Sequence, residues 1–229
     1  MRTTLLITVF LSGASLMSLE MASFRLVEPE YGSDIYVWGS LISVFLGGLA
    51  VGAISGGWLA DQGPRLWKLG LILAIGGALT IALRFYASAA MDFMYPGKGA
   101  PLPAEWGTGG PELQVFMPPD LKWPTLGASL LLFGPPTLLL GMVSPYAARL
   151  FIYGMPNMGA DVGRLYGVST IGSILGTLFT SFYLIGWLRT PWLLIANGCL
   201  LIGLGAILAA IDVARQRSAR AAAAGPGEA

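Results

Sequence analysis

The sequence predicts an all-α integral membrane protein with six transmembrane helices. Three observations carry that reading. Of the 229 residues, 55% are hydrophobic and only 11% are charged, against about 25% charged in soluble domains. Six stretches are apolar over roughly 20 residues, the length that crosses a hydrocarbon core about 30 Å thick. Glycines spaced by four recur within two of those stretches, as in helices that pack closely in lipid.

The first segment covers 4–24 and ends in "SLMSLEMASFR", which places Glu20 in an otherwise apolar run. Met1-Arg2 ahead of an apolar stretch resembles a secretion signal. A lone Arg in that position, and Glu20 beside the only plausible cleavage region, favour a retained helix. The second segment, 36–60, holds Gly48, Gly52 and Gly56 on one face. The third, 66–90, carries Arg84. A long connection over 91–124 follows, rich in Pro and Gly and holding Trp106, Phe116 and Trp123. It reads either as a segment lying on the outer membrane surface or as a spacer.

The fourth segment, 125–153, contains Pro135, Pro136 and Pro145. Each removes a backbone donor, which is tolerated in lipid only where neighbours or water satisfy the freed carbonyl. The prolines read as a kink, or as an irregular helix beside a site. The fifth, 165–187, has Gly172 and Gly176 on one face and Ser169, Ser173, Thr177 and Ser181 on another. The sixth is 191–213. Residues 1–213 thus form one membrane domain with an outer loop at 91–124, and 214–229 a frayed cytoplasmic tail. The glycine faces serve either packing within the chain or a seam to a second protomer or partner subunit.

Orientation follows from Lys and Arg. With the N-terminus inside, Arg2, Arg65, Lys68, Arg149, Arg164, Arg215, Arg217 and Arg220 are cytoplasmic, and Arg25, Lys98, Lys122 and Arg189 lie outside. The excess predicts N-in and C-in, multi-pass in a bacterial-type cytoplasmic (inner) membrane.

The chain has no histidine and one cysteine, Cys199. That argues against a His/Cys metal site, a haem site and a Ser-His-Asp triad, and excludes an intrachain disulfide. No cofactor, no metal and no enzymatic activity are expected, and Cys199 reads as a small buried side chain. A net charge of +1 gives no basic excess for nucleic acid. The expected partners are the bilayer and a second copy or another membrane subunit.

Charges inside membrane segments are costly and usually face the interior, a cavity or each other. Glu20 follows Thr4 by 16 residues and Arg84 follows Lys68 by 16, so each sits about 24 Å up its helix at about 1.5 Å per residue. The shared depth allows an ion pair between Glu20 and Arg84, a substrate or proton site, or two side chains snorkelling to the interface. Arg25 competes for Glu20, although five residues is poor same-face spacing on a helix.

The end of the second segment, "GGWLADQGPRLWK", resembles the loop between helices two and three of the major facilitator superfamily. Gly57, Leu59, Ala60, Asp61 and Arg65 fit that pattern, while Gln62 and Gly63-Pro64 depart from it. The resemblance implies a cytoplasmic gate at Asp61 and Arg65. Other stretches resemble the membrane domain of the fused spermidine synthase family, a facilitator-like bundle that precedes an aminopropyltransferase domain. "SLEMASFRLV" brings Glu20 and Arg25, and "YGSDIYVWG" brings Gly32, Ser33 and Tyr36. "LLLGMVSPYAARL" brings Gly141, Pro145 and Arg149. "GRLYGVSTIGSILG" brings Gly163, Arg164, Leu165, Tyr166, Thr170, Gly172 and Gly176, with Ser169 where that family usually has Asn. The resemblance covers about 11–209 and implies half of a major-facilitator-like bundle.

No Gly-rich nucleotide loop accompanies it, since these glycines lie inside apolar helices, and spermidine synthesis is not expected. If Glu20 binds a ligand, the resemblance implies a cation such as a polyamine, with Tyr36 and Tyr166 adding hydrogen bonds or cation–π contacts. Two functions are therefore open. One is a half-size facilitator-like protein that moves or senses a small solute as an oligomer. The other is a non-catalytic anchoring subunit of a larger membrane complex.

Overall fold

The structure is a computed structural model that describes residues 2–94, 122–152 and 158–223. The described residues form six helical spans, each long and apolar enough to cross a membrane, and include no strand. The helices are α1 (Arg2–Tyr31), α2 (Ile35–Asp61), α3 (Leu66–Met94), α4 (Lys122–Ile152), α5 (Met158–Phe179), α6 (Ile185–Trp187) and α7 (Thr190–Ala223). A π-helical turn, Thr180–Leu184, joins α5 to α6, so that α5, the π turn and α6 make one span. The fold class is all-α, as expected.

The helices outrun the apolar segments. Long polar and basic side chains at the ends keep their charges in water while their stems cover apolar surface, so a change to polar residues does not end a helix. The fourth helix runs through Pro135, Pro136 and Pro145, as the single apolar segment implied. Met91–Met94 and Lys122–Pro124 are helical rather than loop. The rest of the expected outer loop, with Lys98, Trp106 and Phe116, lies outside the described residues. The first ten residues of the expected tail continue α7.

Two turns are set by local chemistry. Gly32 takes φ +79°, a left-handed conformation open to glycine, and its N–H donates to Glu28 O at 2.8 Å, closing α1. Asp34 then caps α2 by accepting from Ile35 N at 2.5 Å. Gly63, φ +96°, does the same work between α2 and α3. There Lys68 Nζ donates to Gly63 O at 3.2 Å, and Tyr146 Oη accepts from Arg65 N at 3.0 Å and donates to Arg65 O at 3.2 Å.

Three tight seams hold the bundle: α1 with α5, α2 with α4, and α3 with α7. All are built on glycine. A Cβ at Gly172 would strike Phe10 O and lie 3.0 Å from Phe10 Cα, and one at Gly176 would lie 2.6 Å from Ala14 Cα. On α2, a Cβ at Gly48 would strike Thr137, one at Gly52 would lie 2.9 Å from Gly141 Cα, and one at Gly56 would lie 2.6 Å from Met142 Cα. Between α3 and α7, Gly70 meets Gly205 and Gly77 meets Gly198. Backbones so close exchange dispersion and Cα–H···O contacts in place of the hydrophobic drive that lipid cannot supply. These glycines of α2 and α5 thus pack within the chain, the first of the two readings of their faces.

The pairing has an internal regularity. Exchanging α1 with α4, α2 with the α5 span and α3 with α7 maps the α1–α5 seam onto the α4–α2 seam and leaves α3–α7 on itself. The weaker α1–α2 contact maps onto α4–α5. In its main contacts the pairing thus treats the first three and the last three spans as two three-helix repeats, an imperfect match because α3 packs on α4 more extensively than α7 packs on α1. Three spans reverse direction, so the second repeat is inverted with respect to the first. The fold has α1 and α4 at its centre, α2 and α5 on one side, and α3 and α7 on the other.

Candidate functional site

On the α2 and α5 side, a groove of about 400 Å³ runs between the two repeats. Ser12, Gly13 and Met17 of α1 form one wall, with Leu49 and Ala53 of α2 and Gly141, Ser144 and Pro145 of α4 opposite. The α5 span contributes Tyr166, Ser169, Thr170 and Ser173. Helical periodicity explains this lining. Positions 166, 169–170 and 173 repeat every three to four residues and form one stripe. Gly172, Gly176 and Thr180 form a second stripe seated on α1, and Ile171, Ile174 and Leu178 a third that is exposed. Three faces of one helix thus carry three chemistries: close packing, hydroxyls and lipid-facing aliphatics.

The groove is mostly apolar, with Leu16, Leu49 and Leu140 among its lining; its polar groups are hydroxyls, and no charged residue lines it. Ser144 Oγ and Ser169 Oγ lie 3.4 Å apart across it. The hydroxyl of Thr170, also in the lining, donates to Tyr166 O at 2.9 Å and keeps its acceptor capacity. Hydroxyls that donate and accept suit a ligand rich in hydroxyl or amino groups. Pro145 was expected either as a kink or as a mark of a site; it lines the groove.

A second polar set ties α1, the π turn and α7. Thr180 Oγ1 donates to Ser18 Oγ at 2.9 Å, and Asn197 Nδ2 donates to Ser15 O at 2.8 Å, all buried. An adjoining cavity of about 310 Å³ is otherwise apolar. Sequence reasoning missed Thr180, Asn197 and the π turn. Asn197 had a signal, being a buried amide in an apolar run; the π turn had none.

The candidate residues fall into three places. Glu20 is half-buried on the α1 stripe of Gly13, Met17 and Phe24, one turn beyond the groove. Among the described residues its carboxylate has no hydrogen bond or ion pair, while its backbone carbonyl accepts from Ser23 Oγ at 2.6 Å. The expected pair with Arg84 is not formed. The Asn197–Ser15 bond and the Gly77–Gly198 contact fix the registers of α7 against α1 and α3. They place Glu20 and Arg84 level with the first turn of α7, but α7 lies between α1 and α3. Arg84 instead lies over the rings of Phe85 and Trp192, at 5.9 and 6.0 Å.

Tyr166 and Glu20 do not share a ligand either. Gly172 meets Phe10 and Gly176 meets Ala14, an offset of 162 in both cases, so Tyr166 is level with Thr4. Sixteen residues separate that level from Glu20, about 24 Å at 1.5 Å per residue. Tyr36 sits at the end of the bundle carrying the α1–α2 turn, its ring 4.3 Å from Lys122 Nζ. Nearby, Phe24 stacks on Trp38 with ring centroids 4.2 Å apart. Arg25 points into a separate cavity beside the α6–α7 turn.

At the end that carries the chain's N-terminus, Asp61 pairs with Arg149 (Nε to Oδ1, 3.3 Å) rather than with Arg65. The backbone of Arg65 is instead held by the fully buried Tyr146. This joins the α2–α3 turn to α4, the repeat related to α1. Cys199, expected to be buried, is exposed on α7.

Compared with models of protein families, with curated proteins and with solved structures, the chain matches none.

Proposed function

We propose that the chain is half of a facilitator-like carrier for a small polar solute, completed by a second copy whose groove faces the first. The observation that carries the reading is the hydroxyl-lined groove between two inverted three-helix repeats. Secondary transporters are built from such repeats, and they bind substrate near the bilayer midplane at the repeat interface. The groove residues lie from the middle of α1, α2 and α4 toward the end with the chain's N-terminus. With that end cytoplasmic, the groove is an inward-facing half-cavity in an inner membrane. The Phe24–Trp38 stack pins its far end, and Asp61–Arg149 brackets its near end. Glu20, beyond the groove, favours a cation over an anion, in keeping with the resemblance to the spermidine synthase membrane domain.

Proteoliposomes test this with two probes, spermidine and the neutral polyol xylitol. Thr170 is an exposed groove residue, so Thr170→Trp fills the groove without disturbing a seam and abolishes flux. Glu20→Gln lowers spermidine flux and spares xylitol. No flux of either probe above that of empty liposomes overturns the reading.

A second reading, an anchoring subunit, is favoured by one observation. The outer face of the α5 span, with Phe179, Phe182 and Trp187 at 57%, 75% and 87% exposure, is an extended apolar surface. A partner that stays bound in stoichiometric amount through mild-detergent purification from native membranes supports it.

A further inference from the structure

At the end of the bundle carrying the α1–α2 turn, on the side away from the groove, lies a cavity of about 550 Å³. Ala22 and Arg25 of α1 form one wall, and the α6–α7 turn from Ile185 to Leu193 forms the other. Two guanidinium groups, Arg25 and Arg189, line this one space, and no carboxylate does. Among the described residues neither arginine has an acidic partner within ion-pair distance. The chain reaches the cavity through Leu188 and Arg189, where the backbone leaves the helix, and α7 starts at Thr190. The Arg189 carbonyl accepts from Trp192 N at 2.9 Å and Leu193 N at 3.2 Å, which fixes Arg189 at the cap of a 34-residue helix. The positive end of the α7 dipole therefore adds to the two side-chain charges.

The position is that of the membrane–water boundary. Trp187 and Trp192, at 87% and 58% exposure, flank the turn, and exposed tryptophans mark the headgroup level. Arg84, over the Trp192 ring, adds a third cation at the same level. Two arginines without an acidic partner leave their donors free for an anion at that depth, and arginine matches phosphate by a planar fork of donors.

We propose that the cavity between Arg25, Arg189 and the start of α7 binds a phosphate group, supplied by the headgroup of an anionic phospholipid. Arg25 and Arg189 donate to the phosphate oxygens, and the acyl chains run down the exposed apolar side of α6 and the π turn, along Phe182 and Trp187. The site is independent of the groove and of the transport reading.

Native mass spectrometry of the full chain, released from nanodiscs of equal parts phosphatidylglycerol and phosphatidylcholine, tests it. The wild type retains phosphatidylglycerol in preference to phosphatidylcholine. Basic residues at an anionic membrane surface contribute about 1 kcal/mol each, about five-fold in binding, so the Arg25→Gln/Arg189→Gln variant loses the preference by about 25-fold. Lys68→Gln, at the opposite end, leaves it unchanged. Both arginines are exposed, and the Arg25→Lys/Arg189→Lys variant, which keeps the charge, recovers part of the preference. Inorganic phosphate added to the wild type separates the two sources of the group. If it displaces phosphatidylglycerol, the pocket takes the phosphate itself, free or esterified; if it does not, the intact lipid is the ligand. Equal retention of the two lipids by the wild type, or an unchanged preference in the Gln variant, overturns the proposal.

Discussion

Replacing Gly176 by alanine tests the packing of α5 on α1 at one atom. The added Cβ would lie 2.6 Å from Ala14 Cα and 2.8 Å from its carbonyl carbon. Carbon atoms pack comfortably at about 3.5–4.0 Å, and both opposing atoms are backbone, so α1 and α5 must part by about 1 Å. A gap of that size forfeits about a quarter to a half of the dispersion energy along the seam. It also stretches the 2.9 Å bond from Thr180 to Ser18. Overpacking of this kind costs about 1–3 kcal/mol, and alanine's better helix propensity returns at most about 1 kcal/mol. With the full propensity gain subtracted, the expected net loss is about 0–2 kcal/mol, and the gap to a variant that has only the gain is about 1–3 kcal/mol. Gly167, on the same helix, has nothing within 4 Å of its would-be Cβ, so Gly167→Ala carries the propensity gain without the clash. Unfolding in mixed micelles titrated with SDS, followed by tryptophan fluorescence, compares the two. Equal midpoints for Gly176→Ala and Gly167→Ala would refute the reasoning, because the same chemical change would then be indifferent to the seam.

Four further outcomes are expected in the same assay. Tyr146→Phe removes both bonds to the Arg65 backbone and destabilises by about 1–3 kcal/mol. Asp61→Asn, which breaks a solvent-exposed ion pair, costs less than about 1 kcal/mol; the reverse order would place the anchor of the α2–α3 turn in the wrong residue. A double-mutant cycle between Ser18→Ala and Thr180→Val gives a coupling of about 0.6 kcal/mol, and at most about 1.7, the range for hydrogen bonds between membrane helices. Zero coupling would mean that the hydroxyls do not meet. Ser129→Ala is neutral or stabilising by up to about 1 kcal/mol, because the buried Ser129 hydroxyl finds no partner among the described residues. A clear loss of stability there would reveal a bond that the fold as described does not contain.

The six spans were legible because lipid demands long, nearly uncharged helices with every backbone group paired internally. The glycine faces were legible as close-packing surfaces too, since only a missing Cβ lets two backbones approach this near. Their partners were not. Nothing in the spacing of Gly52 or Gly172 says whether the opposing backbone is in the same chain, and only the seams onto Gly141 and Phe10 decide it. Depth and azimuth separate in the same way for Glu20 and Arg84. Helix rise fixes how far along its axis a residue stands, but which helix lies between two residues depends on the order of packing. The hydroxyl stripe of Ser169 and Ser173 was visible as a face, and its meaning as a groove wall needed α4 to place Ser144 opposite. The π turn at Thr180 was invisible, because no residue type encodes one extra residue in a turn.

Cysteine accessibility in the membrane tests most directly whether the groove is a water-filled path. In a Cys199→Ala background, single cysteines are placed at Ser169, Thr170 and Ser173 in the groove and at Ile174 and Leu178 on the exposed apolar face. Each is then exposed to a charged, membrane-impermeant thiol reagent in native vesicles of both orientations. The account predicts labelling at Ser169→Cys, Thr170→Cys and Ser173→Cys and none at Ile174→Cys or Leu178→Cys. Groove cysteines as unreactive as the lipid-facing ones would contradict it.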